Sequence, residues 1–559
     1  MSTETQAQRI GAVVNSALWA AAGDALGWMT ELSRGQSGVK YRTGTTVIKE
    51  PVDWQRTIGG RSGPRVDLPA GTYSDDTQLR LAVSRSIRGD GSFDVETFAK
   101  IEMTVWPTYA LGGGLGTKAA ASNLARRSVN WFSNFFDNAS QKYVSGGGNG
   151  AAMRVQPHVW SSLLATDDMI LNVLRNALVT HGHPQGFCGA VFHALCLNHA
   201  LRFRSVPTPE NWRYIVSQFD KIIPLIGLDA QLVAFWQSAW EKDGGAPIAS
   251  AITKMRDEAL IDLEIVTEKI RTRTPETYHV LLKEIGCLTP RFRGAGFKTA
   301  LAAAALAYLY EKDQPESALI LASNELDSDT DTIASMAGAL LGAAAKAPPK
   351  WPLQDREYIV AEATRLAEIS LGHTRDHFSY PDLGSWNPPA KQTASVGLFD
   401  GELAIAGLGQ LVPLNKEYRA GDAIWQWCSL PFGQSILAKR SADLLDKISH
   451  MQLPGPRQNV TAARAVHYAK DNVQRSLFSP ASPPSNKEPA LTNEPAGQTG
   501  YAPEGLNGWT DAVIQSEFDD LTLGRLLNQC IDTSQSVELP IAFAAIVAKA
   551  KLARKRRRH

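Results

Sequence analysis

Oxygen-bearing side chains crowd into one short stretch of the sequence, residues 327–332. It reads Asp-Ser-Asp-Thr-Asp-Thr and leads directly into an apolar, alanine-rich run that predicts a helix. Ser, Thr and Asp favour the first turn of a helix because their oxygens accept hydrogen bonds from unpaired backbone N–H groups. Three carboxylates and three hydroxyls are more than capping uses, and hard cations such as Mg2+ are held by such oxygens. The stretch predicts either an acidic cap or a cation site.

A second acidic helix start occurs 250 residues earlier, at Ser-Asp-Asp-Thr, residues 74–77. Ser74 or Asp75 alone would suffice as the cap of the helix that follows. The adjacent Asp75 and Asp76 point in different directions, so they could serve one cap and one salt bridge. Two acidic starts in one chain nevertheless favour convergence on a shared cation or pair of cations, with the helix dipoles keeping the carboxylates ionised.

Further groups suited to chemistry lie on glycine-rich turns and loops. Glycine runs occur at residues 110–116 and 145–150, and each is either a flexible connector or a loop whose backbone N–H groups approach an anion. Neither run matches a Walker A loop or a dinucleotide-binding fingerprint. His181, in the turn Thr-His-Gly-His-Pro, is either a core or capping residue or an imidazole in a cleft. Glu31, just beyond the first predicted helix, is either an exposed loop carboxylate or a ligand.

The elements that must position these groups are mainly helices. Apolar residues recur at helical spacing over most of the chain to Lys346, and strand signals are weak. Residues 33–71 have no strong period, and we expect irregular structure there with a short strand at 45–48. Long loops of this kind tend to be functional. The sequence predicts a mostly α fold with ligand groups gathered on loops and helix starts.

The composition argues against several classes of protein. The formal net charge of the 559 residues is +1 and the sequence pI is about 7.7, so the whole chain carries no bulk signal for nucleic acid or acidic membranes. Five cysteines without CxxC spacing argue against a zinc site and a disulfide framework. The N-terminus lacks the pattern of a secretory signal, and the apolar runs are too short to span a bilayer. We expect a cytoplasmic protein.

Taken together and in order, the motifs of residues 10–346 resemble the ADP-ribosylglycohydrolase family, which includes the dinitrogenase reductase-activating glycohydrolase and the ADP-ribosylhydrolases. The matching segments are Gly23–Gly27 with Glu31, Ser74–Thr77, Gly148–Arg154, Thr180–Pro184 and Asp329–Thr332. The resemblance implies a compact all-α domain around a cleft that holds two Mg2+ ions, with Mn2+ as the alternative. The ligands it implies are Ser74, Asp75, Asp76, Asp329, Asp331 and Thr332.

The resemblance also implies an activity and residues for it. A water activated at the binuclear centre would cleave the glycosidic bond between ADP-ribose and an acceptor, through a transition state like an oxocarbenium ion. Glu31 would gate the metals and orient or deprotonate the water, with Asp75 or Asp76 sharing that role. The groups expected to hold ADP-ribose are Gly112, Gly113, Gly147, Gly148, Asn149 and His181, with Tyr143 or Phe135 stacked on adenine.

The chain departs from the family pattern at two places. Ser74 replaces the usual Thr and keeps the hydroxyl oxygen, so we expect it to be tolerated. Asp327-Ser328 replaces the usual glycine pair and adds bulk and charge at a position that bears on substrate access. The loop 33–71 matches no pattern, and in this family that region helps to choose the acceptor.

Four segments are expected along the chain. They are a catalytic domain at 1–350, an accessory region at 351–473 that packs on it or forms a small domain, a Pro/Ser-rich linker at 474–506, and a short helical segment with a basic tail at 507–559. The tail is either a solvated end or a contact for nucleic acid or an acidic partner.

Three functions are compatible with this pattern. The leading one is a Mg2+-dependent hydrolase that removes ADP-ribose from a protein or another acceptor. The alternatives are a catalytically silent ADP-ribose-binding or interaction protein, and a hydrolase of another ribosyl or nucleotide-derived compound. The sequence leaves the acceptor open among arginine, serine, nucleic acid and a metabolite.

Overall fold

The computed structural model describes residues 3–272, 274, 276–455, 505–534 and 538–557. They form two compact units. The first contains the described residues up to Ile222 and from Ala249 to residue 455, and the second contains Ile223–Ile248 and the described residues from 505 onward. The predicted linker 474–506 lies outside the described residues except for its last two positions.

Helices dominate the chain, and the fold is mostly α, as the sequence predicts. Up to residue 160 the α-helices are α1 (Thr3–Trp28), α2 (Gly35–Thr43), α3 (Asp75–Arg85), α4 (Val95–Thr97), α5 (Met103–Val105), α6 (Leu115–Leu124) and α7 (Gln156–Trp160). Those that follow are α8 (Asp167–Leu178), α9 (Pro184–Phe203), α10 (Pro209–Ser217), α11 (Ile222–Ile226), α12 (Gln237–Gly244), α13 (Ile248–Lys269), α14 (Thr277–Glu284), α15 (Gly296–Leu309), α16 (Pro315–Asn324), α17 (Thr330–Ala344) and α18 (Arg356–Ser370). Short π-helical turns occur at Phe98–Glu102 and Leu232–Trp236.

Helices α1 and α17 pack with their backbones in contact at the centre of the first unit. A Cβ on Gly23 or Gly27 of α1 would overlap backbone atoms of α17, and a Cβ on Gly338 would overlap the Trp19 carbonyl. The hydroxyl of Thr330 also donates to the Gly27 oxygen at 2.9 Å. This close approach places the end of α1, and Glu31 just beyond it, beside the start of α17.

The segment 33–71 is more regular than the sequence indicates. It contains α2 and an antiparallel hairpin of β1 (Trp54–Thr57) and β2 (Arg65–Leu68), in which Arg56 pairs with Val66. The short strand expected at 45–48 is wrong, because those residues form bends and Ile48 is fixed instead by its backbone bonds with the Asn324 side chain. Four-residue strands next to glycines give too short a pattern for periodicity to detect.

A β-region, which we define as residues 396–441, follows α18 in the first unit. Strands β3 (Val396–Phe399), β4 (Glu402–Ile405) and β5 (Gly409–Gln410) form one antiparallel sheet in that order. Strand β8 (Ala423–Ser429) pairs with β6 (Val412–Pro413), β7 (Tyr418–Ala420) and β9 (Ser435–Ser441) in another. This strand content gives the chain a mixed structure after residue 350.

The described C-terminal residues of the second unit form helices α19 (Gly505–Gln515), α20 (Asp520–Ser534) and α21 (Glu538–Arg557) around a core that includes Trp509 and Phe543. Glu517 and Phe518 adopt positive φ and separate α19 from α20, and Asp519 then accepts the Thr522 N–H to start α20. The basic tail continues α21. Among the described residues, no helix combines the length and apolar character that crossing a bilayer requires.

Candidate active site

The start of α17 brings part of the predicted ligand set into position. Asp329 occupies the N-cap position, and its carbonyl accepts the Ile333 N–H that opens the helix. Asp331 accepts the backbone N–H of Thr332 at 2.9 Å. Asp331 and Thr332 are buried, and Asp329 is partly exposed. Asp329 holds the N-cap position without a capping hydrogen bond from its side chain, so its carboxylate is not used as a cap.

The start of α3 is held by a residue outside the predicted set. Ser74 caps the helix by accepting the Asp76 N–H at 3.3 Å. Asp24, fully buried in α1, accepts the N–H of Ser74 at 3.0 Å and both the N–H and the hydroxyl of Thr77. Asp24 thus orients the turn that carries Asp75 and Asp76. A lone aspartate between Gly23 and Gly27 in an apolar helix was the signal that could have identified it, since a buried charge needs partners.

The two helix starts meet. The hydroxyl of Thr332 donates to Asp76 Oδ1 at 3.3 Å, although the two residues are 256 positions apart. Candidate ligand atoms of Glu31, Asp329 and Asp331 all lie within 4.8 Å of one another. Asp76 Oδ2 is buried and, among the described residues, has no hydrogen-bond partner. The structure therefore brings together the acidic groups of all three predicted segments.

Burial makes these carboxylates difficult to ionise without added positive charge. It raises the pKa of Asp75 to about 8, with the nearby charges of Glu31 and Asp24 contributing. Burial also raises the pKa of Asp76 and Asp331 well above the usual range, and that of Asp329 by less. Carboxylate oxygens crowded in this way suit a hard divalent cation, which supplies the charge that the site lacks. The cluster fits a divalent metal.

Positive groups of the protein offset only part of this charge. Arg80 of α3 is buried, donates to Ser335 at 2.5 Å, and favours the ionised forms of Asp24 and Asp76 electrostatically. Lys118 and Arg293 act in the same way on Asp75 and Asp329. None of these cations was singled out from the sequence, because neither periodicity nor a local motif marks them.

Glu31 is held in place by arginines. Arg56 of β1 donates to Glu31 Oε2 at 2.9 Å and to the Trp28 carbonyl at 3.2 Å, with its guanidinium over the Trp28 ring. Arg42 of α2 donates to the Glu31 carbonyl at 2.7 Å. The Glu31 side chain is about 20% exposed. Glu31 is therefore an ordered carboxylate at the rim of the cluster, and both arginines come from the segment that sequence patterns left unassigned.

The second glycine run contacts the acidic cluster through Asn149. Its amide Nδ2 donates to Asp329 Oδ2 at 2.7 Å, and its backbone N–H donates to the Gly294 carbonyl. The N–H of Gly147 donates to Ser145. Gly147, Gly148 and Asn149 are the candidates to present backbone N–H groups to a diphosphate. Among the described residues, the N–H groups of Gly147 and Asn149 already donate to backbone carbonyls, and that of Gly148 donates to none.

His181 lies against the same run. Its Nδ1 is 2.7 Å from the Thr180 hydroxyl, and a Cβ on Gly150 would lie 3.0 Å from its Cε1. Burial, helped by the charge of Arg154, lowers the pKa of His181 to about 3. Arg154 in turn donates to Gly150 and Thr180. The lowered pKa favours the neutral imidazole, which packs against Gly148 and Gly150 of the loop.

The first glycine run borders Asp75. Gly112 and Gly113 have φ of 118° and 97°, values that favour glycine. A Cβ on Gly112 would overlap Asp75 Oδ1, and the Asp75 N–H donates to the Leu111 carbonyl at 3.1 Å. Gly112 and Gly113 therefore adjoin the cluster, as a wall beside Asp75.

Tyr143 lies apart from the cluster. Its ring is 1% exposed and packs on Phe135 and Phe136, and its hydroxyl donates to the Leu178 carbonyl at 2.7 Å. A Cβ on Gly182 would lie 2.5 Å from the ring. Stacking on adenine would require the ring to leave these partners. Phe135 is the more accessible of the two aromatic candidates.

Comparison with known families agrees with the resemblance. The ADP-ribosylglycohydrolase family model matches residues 5–376. The chain belongs to the ADP-ribosylglycohydrolase family. The match contains every candidate site residue and extends beyond the expected boundary at residue 346, into α18. Family membership supports a glycohydrolase-type enzyme.

Individual relatives of the family are distant. The chain is 28% identical over 165 residues to the ADP-ribosyl-[dinitrogen reductase] glycohydrolase of Rhodospirillum rubrum, a match that covers 29% of this chain and 49% of that protein. It is 26% identical over 315 residues to an uncharacterized protein of Archaeoglobus fulgidus, covering 55% and 84%. A solved structure described as an ADP-ribosylglycohydrolase-related protein complex aligns with a TM-score of 0.38 and 21% identity over 65% of this chain and 99% of that one. The chain thus spans about half the length of the Rhodospirillum enzyme.

Proposed function

We propose that this protein is a Mg2+-dependent hydrolase that cleaves the glycosidic bond between ADP-ribose and an acceptor. The observation that carries the proposal is the convergence of Glu31, Asp329 and Asp331 within 4.8 Å, beside Asp76 and opposite the glycine run that carries Asn149. The Rhodospirillum relative is named as an ADP-ribosyl-[dinitrogen reductase] glycohydrolase, which supports the same bond type.

The metal ligands proposed are Ser74, Asp75, Asp76, Asp329, Asp331 and Thr332, for two Mg2+ ions with Mn2+ as the alternative. Bound Mg2+ would supply Lewis acidity toward vicinal ribose hydroxyls and a water. The fit rests on the unpartnered Asp76 Oδ2 and on four carboxylates whose pKa burial raises.

Residues of the protein would contribute to the reaction in three further ways. Arg56 holds Glu31 Oε2, which leaves the second Glu31 oxygen to accept a proton from the attacking water. The carboxylate of Asp75 or Asp76 lowers the energy of the positive charge that develops at the anomeric carbon. The Gly148 N–H would hold a diphosphate, because a backbone N–H that makes no hydrogen bond within the described residues can donate to an anion.

The proposed substrate is a class of molecules: an ADP-ribosylated protein or another ADP-ribosylated molecule. The test is mass spectrometry of acceptors carrying ADP-ribose on arginine, serine or a nucleic-acid end, together with free ADP-ribosyl metabolites, incubated with the protein and Mg2+. We expect release of ADP-ribose from at least one class, and at least a 100-fold slower release by Asp331→Asn.

The matched control is Asp313→Asn, which removes the same charge at an exposed side chain outside the candidate site. It should retain activity on the same acceptor. An Asp331→Asn variant that folds and is as active as the parent refutes the proposal. Tight ADP-ribose binding without release from any acceptor, including the free metabolites, would instead identify a silent binding protein.

A further inference from the structure

We infer that the β-region 396–441 is a positioning element of the active site, which holds the β1–β2 hairpin so that Arg56 meets Glu31. The family match ends at residue 376, so this region lies outside it. The inference rests on the proposed function only in assigning a catalytic role to Glu31. Its structural content concerns contacts within the first unit.

Three groups of the β-region converge on a single hairpin residue, Asp67 of β2. Trp427 Nε1 donates to the Asp67 carbonyl at 3.3 Å, and the Tyr418 hydroxyl donates to Asp67 Oδ2 at 3.0 Å. Lys416 Nζ forms an ion pair with the same oxygen at 2.8 Å. The bonds from Lys416, from Gln55 of β1 and from Tyr418 lower the pKa of the Asp67 carboxyl to about 2. The convergence fixes β2 from the side that faces the β-region.

The hairpin transmits this attachment to Arg56. Asp67 pairs with Gln55 in the ladder, and the next pair joins Val66 to Arg56. The ring of Trp425 packs on the turn between the strands, where a Cβ on Gly59 would lie 2.6 Å from Trp425 Cζ2. With both β2 and the turn held, the backbone of Arg56 has little freedom to move away from the site.

Arg56 then fixes the end of α1. Its guanidinium bonds Glu31 Oε2 and the Trp28 carbonyl, and Trp54 of the same strand packs edge-on against the Trp28 ring at 4.9 Å between centroids. The path from the β-region to Glu31 therefore consists of direct contacts: Trp427 and Tyr418 to Asp67, the β ladder, and Arg56.

A second attachment reaches the other half of the cluster. The Tyr73 hydroxyl donates to Asp355 Oδ2 at 2.6 Å, and the Ser435 N–H of β9 donates to the same oxygen at 2.8 Å. Gln434, from the turn before β9, donates to the Tyr73 hydroxyl at 3.5 Å and accepts from Arg85 of α3 at 2.7 Å. Tyr73 directly precedes the proposed ligand Ser74. The β-region thus contacts both the hairpin that carries Arg56 and the residue before the start of α3.

The test is the double variant Trp427→Phe/Tyr418→Phe, which removes two hydrogen-bond donors, keeps the ring of residue 418 and replaces the buried indole of residue 427 by a smaller phenyl ring. The matched control is Gln426→Ala, on the same strand, whose side chain bonds Asn415 within the β-region. Hydrogen–deuterium exchange followed by mass spectrometry reports on residues 54–68 and 28–32. Titration calorimetry on the folded proteins reports the affinity for Mg2+.

For the double variant we expect at least tenfold faster exchange of the hairpin amides and at least threefold weaker Mg2+ binding, with the Gln426→Ala control like the parent. Unchanged hairpin exchange and unchanged Mg2+ affinity in a folded double variant would overturn the inference. If the double variant fails to fold, Tyr418→Phe alone is measured in the same way. This single change removes one hydroxyl and keeps the ring.

The exchange result is independent of catalysis. A parent protein that releases no ADP-ribose but shows the expected hairpin loosening would refute the proposed function and leave the positioning contact in place. For an active parent, kcat of the double variant should fall while KM for the ADP-ribosylated acceptor changes less, since Glu31 acts on the water. A general loss of stability would instead lower the thermal midpoint with no selective change at 54–68.

Discussion

Replacement of Asp75 by Asn should stabilise the metal-free protein at alkaline pH and remove most of the stabilisation that Mg2+ gives to the parent. Asp75 is buried at the start of α3, and its pKa rises from 3.8 to about 8 on folding. The folded state therefore binds the proton more tightly than the unfolded state. Stability from this group is fully present below pH 4 and is lost as the pH rises through about 8, because the unfolded state ionises first.

The magnitude follows from the pKa values. At about 1.4 kcal/mol for each pKa unit, the ionisation of Asp75 lowers the free energy of unfolding of the metal-free protein by about 4 kcal/mol between pH 5 and pH 8. Asn resembles the protonated carboxyl in size and charge, so Asp75→Asn should lack this loss. Mg2+ at 100 times its dissociation constant would raise the free energy of unfolding of the parent by about 2.7 kcal/mol. The variant should lose most of that gain.

Urea unfolding at pH 5 and pH 8, with EDTA or with Mg2+, measures the four free energies for each protein. Asp167→Asn is the matched control, because Asp167 is also the first residue of a helix, α8, but is exposed. A metal-free parent whose stability is constant or rises from pH 5 to pH 8 would refute the reasoning. So would an Asp75→Asn variant with the parent's pH dependence.

Three further substitutions probe other parts of the site. Ser74→Ala should cost about 1 kcal/mol of stability in urea unfolding through the lost cap and also weaken Mg2+ binding, whereas Ser74→Thr should restore both; a Thr variant as weak as Ala would contradict this. Gly112→Ala should weaken Mg2+ binding at least tenfold by calorimetry, because φ is 118° and Asp75 Oδ1 occupies the Cβ position, while Gly116→Ala, with open space around it, should not. His181→Asn should lower the affinity for ADP-ribose by the same factor at pH 5 and pH 8, since the pKa of His181 is about 3. A larger loss of affinity at pH 5 than at pH 8 would show that the imidazole acts as a cation.

The helix starts that carry the ligands could be predicted because capping is local chemistry. Ser74, Asp75, Asp329 and Asp331 are recognisable within a few residues of sequence, and the structure places them at the starts of α3 and α17. Their convergence is different in kind. The bond from Thr332 to Asp76 joins segments 256 residues apart; the two acidic helix starts favoured such a convergence, and the family resemblance assigned the ligand set.

Residues that act through tertiary contacts escaped prediction. Arg56 sits in a four-residue strand within a segment that gave no period, and its importance comes from Glu31, 25 positions away. Tyr143 illustrates the opposite failure: an aromatic residue fits a core and a stacking site equally well, and the structure shows it packed in the interior. Residue type alone does not separate these outcomes, whereas burial does.

The buried charge of the site and the contacts of the β-region meet at the start of α3. Asp24, Asp75, Asp76 and Asp331 are buried together, and the charge of the buried Arg80 guanidinium acts on Asp24 and Asp76. Burial favours the neutral forms of Asp75, Asp76 and Asp331 when no cation is bound, so a cation that binds there replaces their protons. The bonds of Asp24 to Ser74 and Thr77, and of Gln434 to Tyr73, hold the backbone of the turn that carries Asp75 and Asp76. A held backbone keeps the carboxylate oxygens close together, which is what a cation that replaces the protons requires.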